Sequence, residues 1–170
     1  MIGGLDQPTS GEVVVDGQKL SEMSSDELTI FRRRNIGFVF QQYNLVPMMN
    51  VWENIVLPAR LDGKRPDEDY VNQVIQILGL AGKLENLPHT LSGGQQRAAI
   101  ARALAVKPSI LLADEPTGNL DSKTSQDVIG LLKAANQQFH QTIIMITHNE
   151  EIAQMADRIL RIEDGRLVSW

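Results

Sequence analysis

Two short, almost wholly aliphatic runs, ILLA at residues 110–113 and IIMI at 143–146, flank a segment of helical character over about residues 122–137. A strand with one wet face alternates apolar and polar residues. These runs do not alternate, so both of their faces need cover. Apolar strand, helix, apolar strand is the repeat of a parallel sheet layered between helices. IGFVF at 36–40 and RILRI at 158–162 read as further strands, and NEEIAQMA at 149–156 as the helix before the last of them. The fold class is therefore α/β with a parallel sheet covered on both faces.

Between Tyr43 and about Leu87 strand character disappears. Asn50 with Glu53 forms a capping-box pattern opening VWENIVLPARL, in which Pro58 should distort the helix. Pro66 should start a second helix, whose Tyr70, Val71, Val74, Ile75 and Leu78 form one apolar stripe. QQRAAIARALAV at 95–106 is apolar on most sides apart from Arg97 and Arg102, the pattern of a largely buried helix. The layout is one domain over residues 1–170, with a helical lobe over about 43–106 inserted in the α/β core. Ahead of it, EVVVD at 12–16 and Asp16-Gly17 suggest a hairpin arm, and Ser24 or Ser25 caps a helix through DELTIFRRR. Asp164-Gly165 marks a last hairpin turn.

Composition narrows the function. With 42% apolar and 22% charged residues the chain is an ordinary globular protein. A net charge of −5 argues against a nucleic-acid surface and against a polybasic membrane patch. The absence of cysteine excludes disulfides and thiolate metal sites. No apolar run approaches the ~20 residues of a spanning helix, so no direct membrane insertion is expected and any link to a membrane passes through a partner.

Four polar elements carry the chemistry. The strand ILLA ends in adjacent carboxylates, Asp114 and Glu115, at the strand end where parallel sheets bind ligands. The first can hold Mg²⁺ on a nucleotide and the second can orient and deprotonate water. LSGGQQ at 91–96 opens the buried helix; Ser92, Gly93 and Gly94 stand where unpaired amides favour an anion. His148 follows IIMI and can donate to a phosphate or a water, and Gln41 follows the strand FVF. Alone, the carboxylate pair reads better as an acidic turn, SGG as a plain helix cap and His148 as a satisfied surface or core histidine, and Gln41 reads also as a polar strand terminus.

Together and in this order, LSGGQQ, ILLADEP, GNLD and TH after an apolar strand resemble the ATP-binding cassette (ABC) ATPases, and the resemblance runs from residue 1 to about 168. PTSGEVVVDG, IGFVFQQYNL and DEPTGNLD are similar to the ATPases of lipoprotein-release, macrolide-export and peptide-export systems. The resemblance implies a P-loop NTPase core with a parallel sheet and helical subdomain. Asp114 becomes the Walker B aspartate on the metal and Glu115 the catalytic base. Gln41, with Gln42 beside it, matches the Q-loop glutamine, facing metal and water. Ser92, Gly93, Gly94 and Gln95 match the signature that contacts ATP held by a second subunit. Asp121 matches the D-loop aspartate and His148 the switch histidine. The implied cofactors are ATP and Mg²⁺. The implied partners are a second ATPase subunit, usually an identical copy, and a transmembrane permease on which the helical lobe and YNLVPMM dock. The implied place is the cytoplasmic face of the cell membrane, reached through that permease.

One part of the pattern is absent. A P-loop, G-x-x-x-x-G-K-[ST], wraps phosphates with its amides and lysine. None of the six lysines, Lys19, Lys64, Lys83, Lys107, Lys123 and Lys133, completes it. The glycines of MIGGLDQPTSG fit a helix end and a turn instead. By resemblance the P-loop and its strand precede that segment, so the chain is expected to start late, inside the helix after the P-loop. The absent strand would be internal to the sheet, and its loss leaves two neighbouring strands without a ladder partner and an apolar face uncovered. A non-catalytic remnant that docks on a permease or lends its signature to an intact ATPase is the alternative function. DNA-repair and chromosome-maintenance ATPases share a similar LSGG element but insert long coiled coils; here Ser92 follows Gln41 by only 51 positions, without sustained heptads. Ribosome-associated cassette proteins usually carry two cassettes and a different continuation after DEPT.

Overall fold

The computed structural model describes residues 1–91 and 93–168. Its centre is a parallel sheet of three strands, β3 (Ile36–Val39), β4 (Ile110–Asp114) and β5 (Thr142–Ile146), in the order β3-β4-β5. The register pairs Val39 with Ala113, Ala113 with Met145 and Asp114 with Ile146, so all three strands end on one edge. Two antiparallel ribbons accompany it: β1 (Val14–Val15) with β2 (Gln18–Lys19), and β6 (Arg161–Glu163) with β7 (Arg166–Val168).

Side-chain alternation gives the sheet two distinct faces. Val39, Leu111 and Ala113 belong to the larger core, and Ile143 and Met145 pack against it. That core is completed by α2 (Val51–Leu61), α3 (Glu68–Ile77), α4 (Gln95–Leu104) and α5 (Ser122–Phe139). Ile36 and Ile110 point the other way, into a smaller core with Val15, Leu20 and Phe31, the last from α1 (Ser25–Asn35). Gly37 lets α4 lie directly on β3: a Cβ there would come within 2.8 Å of the Ala103 carbonyl oxygen and 2.7 Å of Leu111.

The caps follow the sequence. Ser24 and Glu27 close a capping box on α1, and Asn50 and Glu53 close another on α2. Pro58 is accommodated within α2, because it lies near the end and removes a single ladder bond. α3 begins at Glu68 rather than at Pro66, since the Asp67 carboxylate accepts from the Tyr70 amide and takes the cap position. Residues 43–106 contain helices and turns and no strand among the described residues.

Two expectations need correction, both on the β5 side, where the expected open strand edge and uncovered apolar face are found instead. Thr142, Ile144 and Ile146 of β5 are exposed, so this apolar run is covered on one face and not on both. RILRI does not form a strand of the main sheet either: β6 starts at Arg161 and among the described residues pairs only with β7, and Ile159 and Leu160 stay exposed. The helix in NEEIAQMA shrinks to α6 (Glu150–Ala153), capped by Asn149. Among the described residues β5 is hydrogen-bonded to β4 alone.

Candidate nucleotide site at the carboxyl edge of the sheet

Parallel register decides where the polar groups gather. Asp114 ends β4 opposite Ile146, Glu115 follows it, His148 lies two residues beyond β5, and Gln41 lies two beyond β3. All four therefore occupy the carboxyl edge, where loops leave a parallel sheet and ligands bind.

Glu115 is the most constrained of them. Its φ of +43° lies in the left-handed region, which costs a non-glycine residue about 1–2 kcal/mol. Its amide donates to the Ile146 carbonyl (3.0 Å), which holds the turn in place. Its Oε1 accepts from the His148 backbone amide at 2.9 Å and lies 3.5 Å from His148 Nε2. The carboxylate is thus tied to the end of β5 through one oxygen, while the His148 ring stays 93% exposed. Asp114 is exposed beside it.

Gln41 joins the same edge through a residue that motif reading passed over. Asn119 donates from Nδ2 to the Gln41 carbonyl (3.0 Å), and its Oδ1 accepts from Gln41 Nε2 (3.4 Å). Gly118 makes room for this pair, because a Cβ there would stand 2.7 Å from Gln41 Nε2. The signal was available: Asn119 is the one amide side chain in the turn GNLD. Asp121 plays a local part. Its carboxylate caps α5, accepting from the Thr124 amide (3.0 Å) and hydroxyl (2.6 Å), and those bonds hold its pKa below the usual carboxylate range.

The signature segment lies apart. Gly93 has φ +64°, Gly94 caps α4 without a side-chain bond, and Gln95 Nε2 donates to the Pro88 carbonyl (2.9 Å). No hydrogen bond among the described residues joins these three to Gln41, Asp114, Glu115 or His148. Ser92 lies outside the described residues.

A divalent cation carried by a nucleotide needs only one or two protein groups besides phosphate oxygens. The Asp114 carboxylate and Gln41 amide are of that kind, whereas no cluster of three acidic or histidine ligands occurs among the described residues. The donor set fits a nucleotide-borne ion and does not amount to a self-sufficient metal cage.

The family model described as ABC transporter matches residues 1–118, more than half of the chain. The chain belongs to the ABC transporter ATP-binding family. Its cassette is 42% identical to the macrolide export ATP-binding/permease protein MacB of Rhodopirellula baltica, over 97% of this chain and 25% of MacB. The lipoprotein-releasing system ATP-binding protein LolD 1 of Rhodopseudomonas palustris is 40% identical over 98% of this chain and 76% of its own length. The dimeric post-hydrolysis structure of the cassette MJ0796, bound to ADP and Pi, superposes with a TM-score of 0.82 at 42% identity, covering 98% of this chain and 75% of that one. The ABC cassette therefore spans about a quarter of the MacB relative and three quarters of the other two. Nucleotide binding is the property this family implies. No helix among the described residues of this cassette is long and apolar enough to cross a membrane.

Proposed function

We propose that this ABC cassette is the ATP-binding and ATP-hydrolysing component of a membrane exporter, of the kind that extrudes a small molecule, peptide or lipoprotein. The observation that carries the reading is the joining of Glu115, His148, Gln41 and Asn119 at one edge of a registered parallel sheet. Likeness to MacB and LolD supports export and lipoprotein release as the transport class.

The side chains divide the work. Glu115 accepts the proton of the attacking water; with Oε1 engaged by His148, Oε2 is the oxygen turned to that task. His148, exposed and beside Glu115, donates to the terminal phosphate. Asp114 and Gln41 hold the cation, which when bound offsets charge on the phosphate oxygens. Asp121, by capping α5, fixes the loop that carries Asn119. Ser92, Gly93, Gly94 and Gln95 face the nucleotide of a second cassette, so each site is completed in a dimer. The helical lobe and YNLVPMM dock on a transmembrane permease, which places the cassette at the cytoplasmic face.

Because no lysine in residues 1–170 lies in a P-loop pattern, these residues by themselves leave triphosphate charge uncompensated and turn over no ATP. The same observation favours a second reading, a docking partner that lends its signature to an intact ATPase. The first is tested in a polypeptide that joins this segment to a P-loop, the second in the unjoined chain. In the joined polypeptide Glu115→Gln keeps ATP binding and dimerisation while turnover falls by about 10²–10⁴-fold. Turnover near the unsubstituted rate removes Glu115 from the base role. ATP turnover restored on mixing the unjoined chain with an intact ATPase that lacks its own signature favours the second reading.

A further inference from the structure

The segment between the sheet edge and α2, residues 41–50, has no regular structure, yet side chains from three elements hold its backbone. Asn119 bonds the Gln41 carbonyl. The fully buried Asn54 accepts from the Val46 amide (2.7 Å) and donates to the carbonyls of Val46, Met49 and Asn50 at 3.0–3.1 Å. Between them, Tyr43 (φ +60°) and Asn44 (φ +47°) are consecutive non-glycine residues in the left-handed region. Two such residues in a row are disfavoured unless their surroundings determine them. Arg102, in the last turn of α4, does so: Nη2 donates to the Tyr43 carbonyl (2.9 Å) and Nη1 to the Asn44 carbonyl (2.5 Å). A planar guanidinium is the side chain whose donors match two successive carbonyls in a fixed fork. Its place is unusual too, since its neighbours Ala101, Ala103 and Leu104 are buried apolar residues.

We infer that Arg102 is a positioning residue: by bridging the Tyr43 and Asn44 carbonyls it locks the left-handed pair and thereby sets the orientation in which Gln41 meets Asn119 at the sheet edge. The inference rests on the reading of Gln41 as a group that faces nucleotide and metal, and it gives α4, which begins at the signature glycines, a direct hold on that group. Asn54 supports the far end of the segment but cannot replace Arg102, because its four bonds all fall at residues 46–50. Lysine cannot replace it either, having one nitrogen where two directed donors are needed.

The test uses the ¹⁵N-labelled 170-residue chain, unsubstituted and with Arg102→Met or Arg102→Lys. Amide exchange is followed at Tyr43 and Asn44, whose N–H groups donate to Phe40 and Gln42, and at Ala105 and Leu111 as references in the buried core. With Arg102→Met, exchange at Tyr43 and Asn44 is expected to accelerate by about tenfold or more, the loss of charge-assisted bonds, while the references hold. The side-chain amide signals of Gln41 and Asn119 shift with it. Unchanged exchange at Tyr43 and Asn44, an equal acceleration at all four amides, or unmoved Gln41 and Asn119 signals would overturn the inference. If Arg102→Met does not fold, Arg102→Lys decides, since it keeps the charge and the stem: the same local acceleration supports the inference and its absence overturns it. None of these readouts involves nucleotide, so a failure of the ATPase reading leaves a different trace, namely turnover near the unsubstituted rate for Glu115→Gln in the P-loop-bearing polypeptide.

Discussion

On one face of the β3–β4–β5 sheet, Val39, Leu111, Ala113, Ile143 and Met145 lie in or against a core closed by four helices; on the other, cover reaches β3 and β4 but stops before β5, where Ile144 and Ile146 stand 38% and 59% exposed. The same apolar strand thus meets two environments. The covered face shows how the carboxyl edge of the sheet is built: α4 approaches β3 through Gly37, and α5 starts at the Asp121 cap a few residues after the Glu115 turn. The open face shows that β5 is written for a neighbour. Its sequence lacks the alternation that would make one side polar, and Ile159, Leu160, Ile162 and Leu167 towards the C-terminus are exposed as well. Strand edges and apolar patches of this kind drive association.

The contrast has consequences of unequal size. Ile100, fully buried in α4, is expected to cost about 2–5 kcal/mol as Ile100→Ala in denaturant unfolding. Ile144→Ala, on the open side of β5, is expected to cost less than about 1 kcal/mol. Equal losses would mean that the second face of β5 is covered after all. Next in size, Ile146→Lys is expected to reduce self-association in sedimentation velocity while changing stability by no more than about 0.5 kcal/mol. Association that persists unchanged would direct attention to another surface.

The smallest effect concerns the covered side. The Asp121 carboxylate is held below its usual range by Thr124, so its contribution to stability is complete above the unfolded-state value near ~3.9. It is lost as pH falls through the lower folded-state value. Asp121→Asn keeps a good cap and removes this pH-dependent part, so acid unfolding curves of the two proteins should converge at the lowest pH. Curves separated by a constant amount at every pH would show that the Asp121 charge does not matter.

What the sequence disclosed, and what it withheld, follows the same division. The capping boxes at Ser24–Glu27 and Asn50–Glu53 are local devices, legible because cap and partner are three residues apart. The gathering of Gln41, Asp114, Glu115 and His148 was legible because each follows an apolar run, and parallel register brings such ends together. Three things were not. The start of α3 at Glu68 turned on Asp67 outcompeting Pro66 as a boundary signal. The bond from Asn119 to Gln41 joins residues 78 apart, and no local pattern announces it. Which side chains stand open, Ile144 and Ile146, the residues of β5 do not specify, although an uncovered apolar face was expected from the absent P-loop strand. Arg102 was visible as a charge in an otherwise apolar turn, but its targets at Tyr43 and Asn44 depend on tertiary structure.

The central proposal is a division of labour: these 170 residues carry the side chains proposed to face water, metal and phosphate, Glu115, Asp114, Gln41 and His148, but no lysine-bearing P-loop. Isothermal titration of the 170-residue chain with Mg-ATP tests it most directly. No saturable heat is expected up to millimolar nucleotide, whereas a saturable isotherm with micromolar Kd would contradict the account and require a phosphate cradle within residues 1–170.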